Sequence, residues 1–171
     1  MSHLEKINDK ILSLEALKLR VDNWKSSSEK IVFTNGCFDI LHRGHVEVLA
    51  KTADLGDKLI IGLNSDSSIK KLKEENRPIV DEKSRALLLA AFSFVDAIVL
   101  FSEETPYDLI AEIKPDILAN AVNYEFKQKY DHLMAFEILE HIPFEESQKI
   151  IKKIPTFIEK YAFISLPRNE K

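Results

Sequence analysis

Two histidines, His42 and His45, stand three positions apart and follow a short apolar segment that is broken at Asn35-Gly36. A neutral imidazole donates a hydrogen bond to a phosphate oxygen near physiological pH without carrying a permanent charge. Apolar residues then recur at helical spacing, at Val46, Leu49 and Ala50, which predicts a strand, a turn and a helix. Both imidazoles are therefore expected at a helix N-terminus, where backbone N–H groups and the helix dipole favour an anion.

The turn between this strand and this helix holds further candidates, each with a structural alternative. Gly36 and Gly44 either satisfy the backbone geometry of the turn or let the backbone approach a phosphate closely. Asp39 is either a capping residue or a side chain that positions a nucleotide or its metal. Cys37 is interpreted as a small packing residue, because no nearby partner in the sequence would activate its thiol.

A second group of candidates follows the next apolar segment. Asn64 and Asp66 come directly after it and are either capping residues or part of the ligand site. Arg85 lies in an apolar stretch predicted to be helical, where it either borders the buried face or contacts a phosphate. Between Asp66 and Arg85 the sequence predicts a charged loop. Its basic residues are partly neutralised by Glu74 and Glu75, so a solvated surface is the structural alternative to a phosphate contact. These basic residues are Lys70, Lys71, Lys73 and Arg77.

Alternating strands and helices are expected to position these side chains. The predicted strands are Lys30 to Thr34, Lys58 to Leu63, Ala97 to Phe101 and one that begins at Ile117-Leu118. The predicted helices are His45 to Ala53, Glu82 to Phe94 and one that opens at Thr105-Pro106. The alternation implies an α/β fold, a Rossmann-like doubly wound parallel sheet with right-handed crossovers. Ligands in such a sheet bind at the carboxyl ends of the strands, where His42, His45 and Asn64 fall.

Three regions are expected along the chain. Residues 1–28 form a helical extension with two apolar stripes, a possible break or cap at Ser13 and a polar hinge at Ser26 to Ser28. Residues 29–118 form the core, and residues 119–171 form an atypical C-terminal segment. The first thirty residues are interpreted as helical throughout.

Composition limits the class of protein. A chain of 171 residues suits one domain, and its single cysteine fits a reducing compartment. The net charge of −4 argues against a general nucleic-acid binder. No apolar run is long enough to span a bilayer, and the first residues lack the apolar segment of a secretory signal. We therefore expect a cytoplasmic protein that binds neither membrane nor nucleic acid.

Several segments carry a resemblance to a known family. Phe38-Asp39 followed by His42 to His45 resembles the signature of the cytidylyltransferase-like nucleotidyltransferases. The longer string from Phe33 to His45 is most similar to the adenylyltransferases of ADP-heptose synthesis. Further matches follow in order over the first two-thirds of the chain: Leu55 to Asp57, Gly62 to Asp66, Leu72-Lys73, Arg77-Pro78, Arg85, Val95-Asp96, Glu104 to Pro106 and Lys114 to Asp116.

The resemblance implies transfer of a nucleotidyl group from ATP or CTP to a sugar phosphate such as heptose 1-phosphate, with release of pyrophosphate. Its implied catalytic residues are His42, His45 and Lys73. Its implied nucleotide and phosphate contacts are Thr34, Asn35, Gly36, Phe38, Asp39, Gly44, Asn64, Asp66, Arg77 and Arg85. Mg²⁺ is expected to accompany the nucleoside triphosphate, without a metal site of the protein's own. A homodimer is compatible with the resemblance, with Trp24 and the N-terminal apolar stripe at its interface.

The chain departs from this resemblance after Asp116. The Ser-Thr-Thr motif that opens a phosphate-binding helix in similar enzymes is absent, and the later residues resemble the C-terminal part of class I S-adenosylmethionine methyltransferases. We predict that a βαβ unit completes the same sheet, with strands Tyr130 to Phe136 and Tyr161 to Leu166 around a helix Phe144 to Ile154. Glu137, Glu140 and His141 are interpreted as a loop and helix end rather than as metal ligands.

Three functions remain open from the sequence. The first is a nucleotidyltransferase, with a glycerol-3-phosphate cytidylyltransferase as its nearest variant. The second is a catalytically impaired nucleotide-binding protein, which the missing phosphate motif favours. The third is a methyltransferase, which the absence of a glycine-rich loop for the methyl donor disfavours.

Overall fold

A seven-stranded sheet organises the protein. The structure is a computed structural model that describes residues 1–72, 76–103 and 105–119, together with the backbone of residues 130–134 and 158–161. The strands are β1 (Ile11–Leu12), β2 (Ile31–Gly36), β3 (Lys58–Asn64), β4 (Ala97–Phe101), β5 (Ile117–Ala119), β6 (Tyr130–Met134) and β7 (Ile158–Tyr161). The helices are α1 (His3–Asn8), α2 (Leu14–Ser26), α3 (Arg43–Ala53), α4 (Asp66–Leu72), α5 (Glu82–Ala90) and α6 (Tyr107–Ile113).

The strand order places β2 where the winding of the sheet reverses. Across the sheet the order is β1-β4-β3-β2-β5-β6-β7, and all described pairings are parallel. From β2 the chain winds outward through β3 to β4, and then returns through α6 to β5 on the other side of β2. Ligands of open α/β sheets bind beyond the carboxyl ends of the strands at such a reversal. The predicted Rossmann-like doubly wound fold is confirmed.

Two hydrophobic layers cover the sheet. Side chains of a strand point alternately to its two faces, so Ile31 and Phe33 join the layer formed with α2 and α6, whereas Val32 joins the layer formed with α3 and α5. All three are fully buried, as expected for a parallel sheet with helices on both faces. Hydrophobic side chains therefore cover both faces of the sheet, so a ligand site is expected at the ends of the strands.

An aspartate precedes each of β3, β4 and β5 and joins the adjacent strand by two hydrogen bonds. Asp116 Oδ2 accepts from Ile31 N at 2.7 Å, while Asp116 N donates to Ile31 O at 2.9 Å. The same pair of bonds, 2.7 to 3.0 Å long, joins Asp57 to Lys30 and Asp96 to Leu59. We call Asp57, Asp96 and Asp116 the aspartate clasps. They fasten neighbouring strands at the amino edge of the sheet.

The predicted strands and helices of residues 29–118 are confirmed, with small shifts at their ends. Ser13 is the N-cap of α2, as the sequence allowed. The expectation of an entirely helical N-terminus is wrong, because Ile11–Leu12 form β1 and pair with β4. The basic run was not expected to be helical, yet Lys70 and Lys71 lie in α4, whose Ile69 is fully buried and anchors it.

The C-terminal predictions are tested only in part. The strand predicted over Tyr130 to Phe136 is confirmed for β6, which pairs in parallel with β5. β7 begins earlier than the predicted strand Tyr161 to Leu166. The predicted helix Phe144 to Ile154 and the residues Glu137, Glu140 and His141 lie outside the described residues. The three proposed region boundaries stay a prediction.

Two further observations concern the predicted partners. Trp24, which was assigned to an interface between copies, packs partly buried against the layer of α2 and α6, so its place in the core is accounted for within one chain. A homodimer stays a prediction. Within the described part of the chain, no helix combines the length and the apolar character needed to cross a bilayer.

Candidate active site

His42 and His45 cap the start of α3 reciprocally. His42 is the N-cap residue, and its Nδ1 atom accepts a hydrogen bond from Gly44 N at 3.1 Å. The Nδ1 atom of His45 accepts from His42 N at 3.4 Å. Two backbone N–H groups that an α-helix leaves unpaired at its start are thereby satisfied by the imidazoles. The two rings are held with their centroids 3.9 Å apart.

The reciprocal cap selects the tautomer of both rings. An Nδ1 atom that accepts a backbone N–H carries no proton, so each neutral ring bears its proton on Nε2. The Nε2–H group of each neutral ring is therefore left as a donor, which is the chemistry predicted for a phosphate-binding turn.

Space, rather than backbone conformation, explains the two glycines of this turn. Neither Gly36 nor Gly44 has a positive φ, so neither glycine is required by a left-handed backbone conformation. A Cβ atom on Gly44 would lie 2.9 Å from His42 Cε1, and one on Gly36 would lie 2.9 Å from Phe38 Cε2. Gly44 thus lets the His42 ring fold back over the helix start. Gly36 makes room for Phe38, whose ring edge contacts His45.

A cavity of about 350 Å³ opens beside the reciprocal cap. Its volume lies within the range of small-molecule sites. Its lining includes several predicted site residues: Thr34, Asn35, Gly36, Phe38, Asp39, His45 and Arg77. A larger groove of about 770 Å³ lies between α2, α6 and β4, but none of the predicted site residues line it. The smaller cavity lies at the reversal of the sheet, and it is the candidate active site.

Asp39 holds the loop that leads into α5. Its side chain is almost fully buried; Oδ1 accepts from Ile79 N at 2.7 Å and from Val80 N at 3.0 Å, and Oδ2 accepts from Arg77 Nη1 at 2.7 Å. Burial by itself raises the pKa of the Asp39 carboxyl. The hydrogen bonds from Val80, Arg77 and Ile79 outweigh burial, so the pKa lies below its usual range. Both oxygens are engaged, and a direct contact of Asp39 with nucleotide or metal stays a prediction.

Arg85 is completely buried and has no surface in the cavity. Its Nε atom donates to Val80 O at 2.8 Å. Its Nη1 atom donates to Cys37 O at 2.6 Å and to Asn64 O at 2.9 Å. Its Nη2 atom forms an ion pair with Asp66 Oδ1 at 2.6 Å. The observed partners of Arg85 are protein atoms, and a phosphate contact would require some of these bonds to break.

Ser68 and Glu82 contact residues of the site but were not identified from the sequence. Asn64 Nδ2 donates to the hydroxyl of Ser68 at 3.0 Å, and that hydroxyl donates to Glu103 O at 3.2 Å. Glu82 Oε2 accepts from Asp66 N at 2.8 Å. The spacing of four residues between Asn64 and Ser68 was a weak signal for this contact, whereas nothing local in the sequence links Glu82 to Asp66.

The predicted site residues thus fall into two groups. One group surrounds the cavity, with His42 and Gly44 at the reciprocal cap beside it. Asn64, Asp66 and Arg85 form a hydrogen-bonded network around the buried Arg85 side chain, next to the cavity rather than in its lining. Lys73 lies outside the described residues, and its catalytic role stays a prediction.

The chain is similar in sequence to proteins described as bifunctional HldE. The bifunctional protein HldE of Wolinella succinogenes is 44% identical over 155 residues, which cover 90% of this chain and 33% of that protein. The bifunctional protein HldE of Helicobacter pylori is 52% identical over 141 residues, which cover 78% of this chain and 30% of that protein. The chain therefore spans about a third of the length of these relatives.

A solved structure agrees with the fold. The crystal structure of the lipopolysaccharide core biosynthesis protein from Thermoplasma volcanium matches with a TM-score of 0.54 and 29% sequence identity. The match covers 81% of this chain and 98% of that one. A family model described as cytidylyltransferase-like matches residues 33–165, a span that contains both the reciprocal cap and the buried network. The chain belongs to the cytidylyltransferase-like family of nucleotidyltransferases.

Proposed function

We propose that this chain transfers an adenylyl group from ATP to a sugar 1-phosphate, with heptose 1-phosphate as the acceptor and pyrophosphate as the second product. The reciprocal cap of His42 and His45 beside the 350 Å³ cavity is the observation that carries the proposal. It supplies two oriented imidazole donors at the positive end of a helix, and such a position stabilises a phosphate.

In the proposed reaction a phosphate oxygen of the sugar phosphate attacks the α-phosphorus of ATP. A new P–O bond forms there, the bond to the bridging oxygen of the β-phosphate breaks, and that oxygen leaves with pyrophosphate. The nucleophile is already an anion, so no side chain has to remove a proton. Negative charge grows on the nonbridging and leaving oxygens, and the Nε2–H groups of His42 and His45 would donate to these oxygens.

Mg²⁺ is proposed to enter with the triphosphate rather than to reside in the protein. The described residues contain no group of three or more His, Cys, Asp or Glu side chains arranged to hold a metal ion. The buried carboxylate in the cavity wall, Asp39, already has both oxygens engaged by Arg77 and by two backbone N–H groups. When bound, the ion would neutralise charge on the triphosphate.

Sequence relatives support the choice of acceptor. The string from Phe33 to His45 is most similar to adenylyltransferases of ADP-heptose synthesis, and a structural relative is named as a lipopolysaccharide core biosynthesis protein. The relatives called HldE are bifunctional and about three times as long as the matched segment. The proposal concerns the activity of the matched segment.

The proposal is tested by measuring pyrophosphate release with each combination of two donors and two acceptors. The donors are ATP and CTP, and the acceptors are heptose 1-phosphate and glycerol 3-phosphate, all with Mg²⁺. We expect turnover with ATP and heptose 1-phosphate to exceed that of the other three combinations. Turnover with CTP and glycerol 3-phosphate alone would instead assign the cytidylyltransferase variant.

Ligand binding separates an inactive enzyme from a wrong assignment. A nucleotide at a hundredfold excess over its dissociation constant stabilises the fold by about 2.7 kcal/mol, which a thermal melt detects. ATP should raise the melting temperature, and S-adenosylmethionine should not. A shift with ATP but no turnover with any acceptor would point to the catalytically impaired binder. Absence of a shift with either nucleotide would refute the nucleotide site.

A further inference from the structure

The hydrogen bonds of Arg85 join three segments that are distant in sequence. Its acceptors are the carbonyl groups of Cys37 in the turn after β2, of Asn64 at the end of β3 and of Val80 in the loop before α5. Asp66, at the start of α4, supplies the matching negative charge. A single side chain thus connects the elements that converge on the candidate active site.

The shape of the guanidinium suits this role. It is a rigid planar fork with five N–H donors, whereas a lysine ammonium is a compact charge at the end of a flexible stem. The Arg85 side chain has an exposed fraction of zero, while the Asp66 side chain is 30% exposed. A cation at full burial is favourable only when it is paired and hydrogen-bonded, as it is here.

The loop between Arg77 and Val80 is held from two directions. Asp39 accepts from the backbone N–H groups of Ile79 and Val80, and Arg85 donates to the carbonyl oxygen of Val80. The first residue of this loop, Arg77, borders the cavity with a side chain that is 39% exposed. The position of the Arg77 guanidinium at the cavity therefore depends on two buried charges, one of each sign.

We propose that Arg85 is a positioning residue for nucleotidyl transfer, which fixes the end of β3 and the Arg77 loop relative to the histidine turn without touching the phosphates. The proposal rests on the proposed function for the identity of the reaction. It differs from the sequence-based expectation, which placed Arg85 among the phosphate contacts.

Arginine-to-lysine and arginine-to-methionine substitutions distinguish positioning from phosphate contact. Lysine keeps the positive charge and methionine removes it, but both lose the planar fork. We expect Arg85→Lys and Arg85→Met to lower kcat to a similar extent, by about a hundredfold, because small displacements of reacting groups cost that much. The dissociation constant for ATP should change little in both variants. If Arg85→Lys instead keeps the wild-type kcat and only weakens ATP binding, Arg85 is a phosphate contact and the proposal is wrong.

The same two substitutions at Arg77 provide the matched control. Arg77 is exposed at the cavity and makes one ion pair, so Arg77→Lys should retain more activity than Arg77→Met. The proposal is supported if lysine retains more activity than methionine at Arg77, whereas both substitutions lower kcat equally at Arg85. The same charge-dependent pattern at both residues would overturn it.

Amide hydrogen exchange in the ligand-free protein supplies a readout that does not depend on turnover. Loss of the Arg85 fork should loosen the loop, so the N–H groups of Ile79 and Val80 should exchange about tenfold faster. Unchanged exchange would overturn the positioning role even if activity fell. Faster exchange in the Arg85 variants of a protein whose wild type shows no turnover would contradict the proposed function, and it would support only that Arg85 holds the loop in place.

Asp66→Asn covers the case in which the Arg85 variants do not fold. The substitution keeps the shape of the partly exposed side chain and removes the charge that pairs with Arg85. We expect a smaller fall in kcat than at Arg85, with faster exchange at Val80. Wild-type kcat together with wild-type exchange in Asp66→Asn would contradict the proposal.

Discussion

The two edges of this sheet use the same residue type for different purposes. At the amino edge, the aspartate clasps Asp57, Asp96 and Asp116 bond to the backbone of the adjacent strand. At the carboxyl edge, the Asp39 carboxylate accepts from Arg77 and from two backbone N–H groups, and the Asp66 carboxylate pairs with Arg85. Carboxylates at one edge fasten strands to each other, and those at the other edge arrange loops around a cavity. Substitutions should therefore separate into effects on stability and effects on activity.

The sharpest test of the carboxyl edge is the removal of an imidazole. His42→Ala should lower turnover by about a hundred- to a thousandfold, the cost of losing one oriented donor to a developing charge. It also removes an N-cap, which costs about 1 kcal/mol of stability. His42→Asn is the matched variant, because asparagine caps helices well but its shorter side chain has no donor at the position of imidazole Nε2.

Turnover and urea unfolding of the two variants should be compared with those of the wild type. We expect His42→Asn to regain most of the stability lost in His42→Ala and none of the turnover. Wild-type turnover in both variants would show that the histidine pair is only a cap, and the division between the edges would fail.

The same substitution, glycine to alanine, can be made at each edge of the sheet, and its effect should differ between the two edges. A Cβ atom at Gly44 would press on the His42 ring, so Gly44→Ala should lower turnover by about a hundredfold. A Cβ atom at Gly56 would lie 2.7 Å from Lys30 O, so Gly56→Ala should destabilise the fold by about 1–3 kcal/mol. Turnover per folded molecule should be unchanged in Gly56→Ala. Loss of turnover in Gly56→Ala with wild-type stability would contradict the comparison.

The clasp at Asp116 should affect stability alone. Asp116→Ala leaves the N–H of Ile31 without its carboxylate, which costs about 1–3 kcal/mol. For a chain of this size, each kcal/mol of lost stability lowers Tm by about 2–4 °C. Asp116→Asn keeps an acceptor and should lose less. A thermal melt and a turnover assay measure both effects, and a large loss of turnover with an unchanged Tm would be inconsistent with the clasp.

The smallest effect expected is the pH dependence of Asp39. Its pKa is depressed in the folded protein, so its ionised form stabilises the fold fully above the unfolded carboxyl pKa of about 3.9. That stabilisation is lost as the pH falls through the lower folded value. The difference in unfolding free energy between wild type and Asp39→Asn, about 1 kcal/mol for the lost ion pair, should be constant from pH 8 to about 5.

Urea unfolding of both proteins at several pH values checks this, with Asp22→Asn as an exposed control. The difference between wild type and Asp39→Asn should shrink as the pH falls below about 4, and it should vanish only once the Asp39 carboxyl of the folded protein is itself protonated. A difference that grows as the pH falls would mean that the Asp39 carboxyl is not stabilised in its ionised form.

Much of the fold could be predicted from the sequence, because the signals were local. Apolar segments bounded by turn residues identified β2, β3 and β4, and Thr105-Pro106 indicated the start of α6. β1 was missed because two residues carry too little pattern to be distinguished from a break between helices. Its pairing with β4 is a contact across the fold, which periodicity does not report.

The sequence predicted which residues belong to the site better than it predicted what each residue does there. Residue types and spacing located the turn that holds His42 and His45, and its resemblance to a family extended the list. The role of Arg85 was not predictable, because its partners Cys37, Asn64 and Val80 come together only in the folded sheet. The reciprocal cap was likewise hidden, since histidines are not usual N-cap residues.

The short strand β1 has a consequence for association between molecules. An exposed edge strand presents unpaired N–H and C=O groups that can pair with a strand of another molecule, and such pairing commonly starts aggregation. β1 pairs with β4 at Ile98 and Val99, so the outermost strand on this side of the sheet is only two residues long. The segment before β2 therefore serves as a guard against intermolecular sheet extension, and removing it would turn β4 into a template for strand addition.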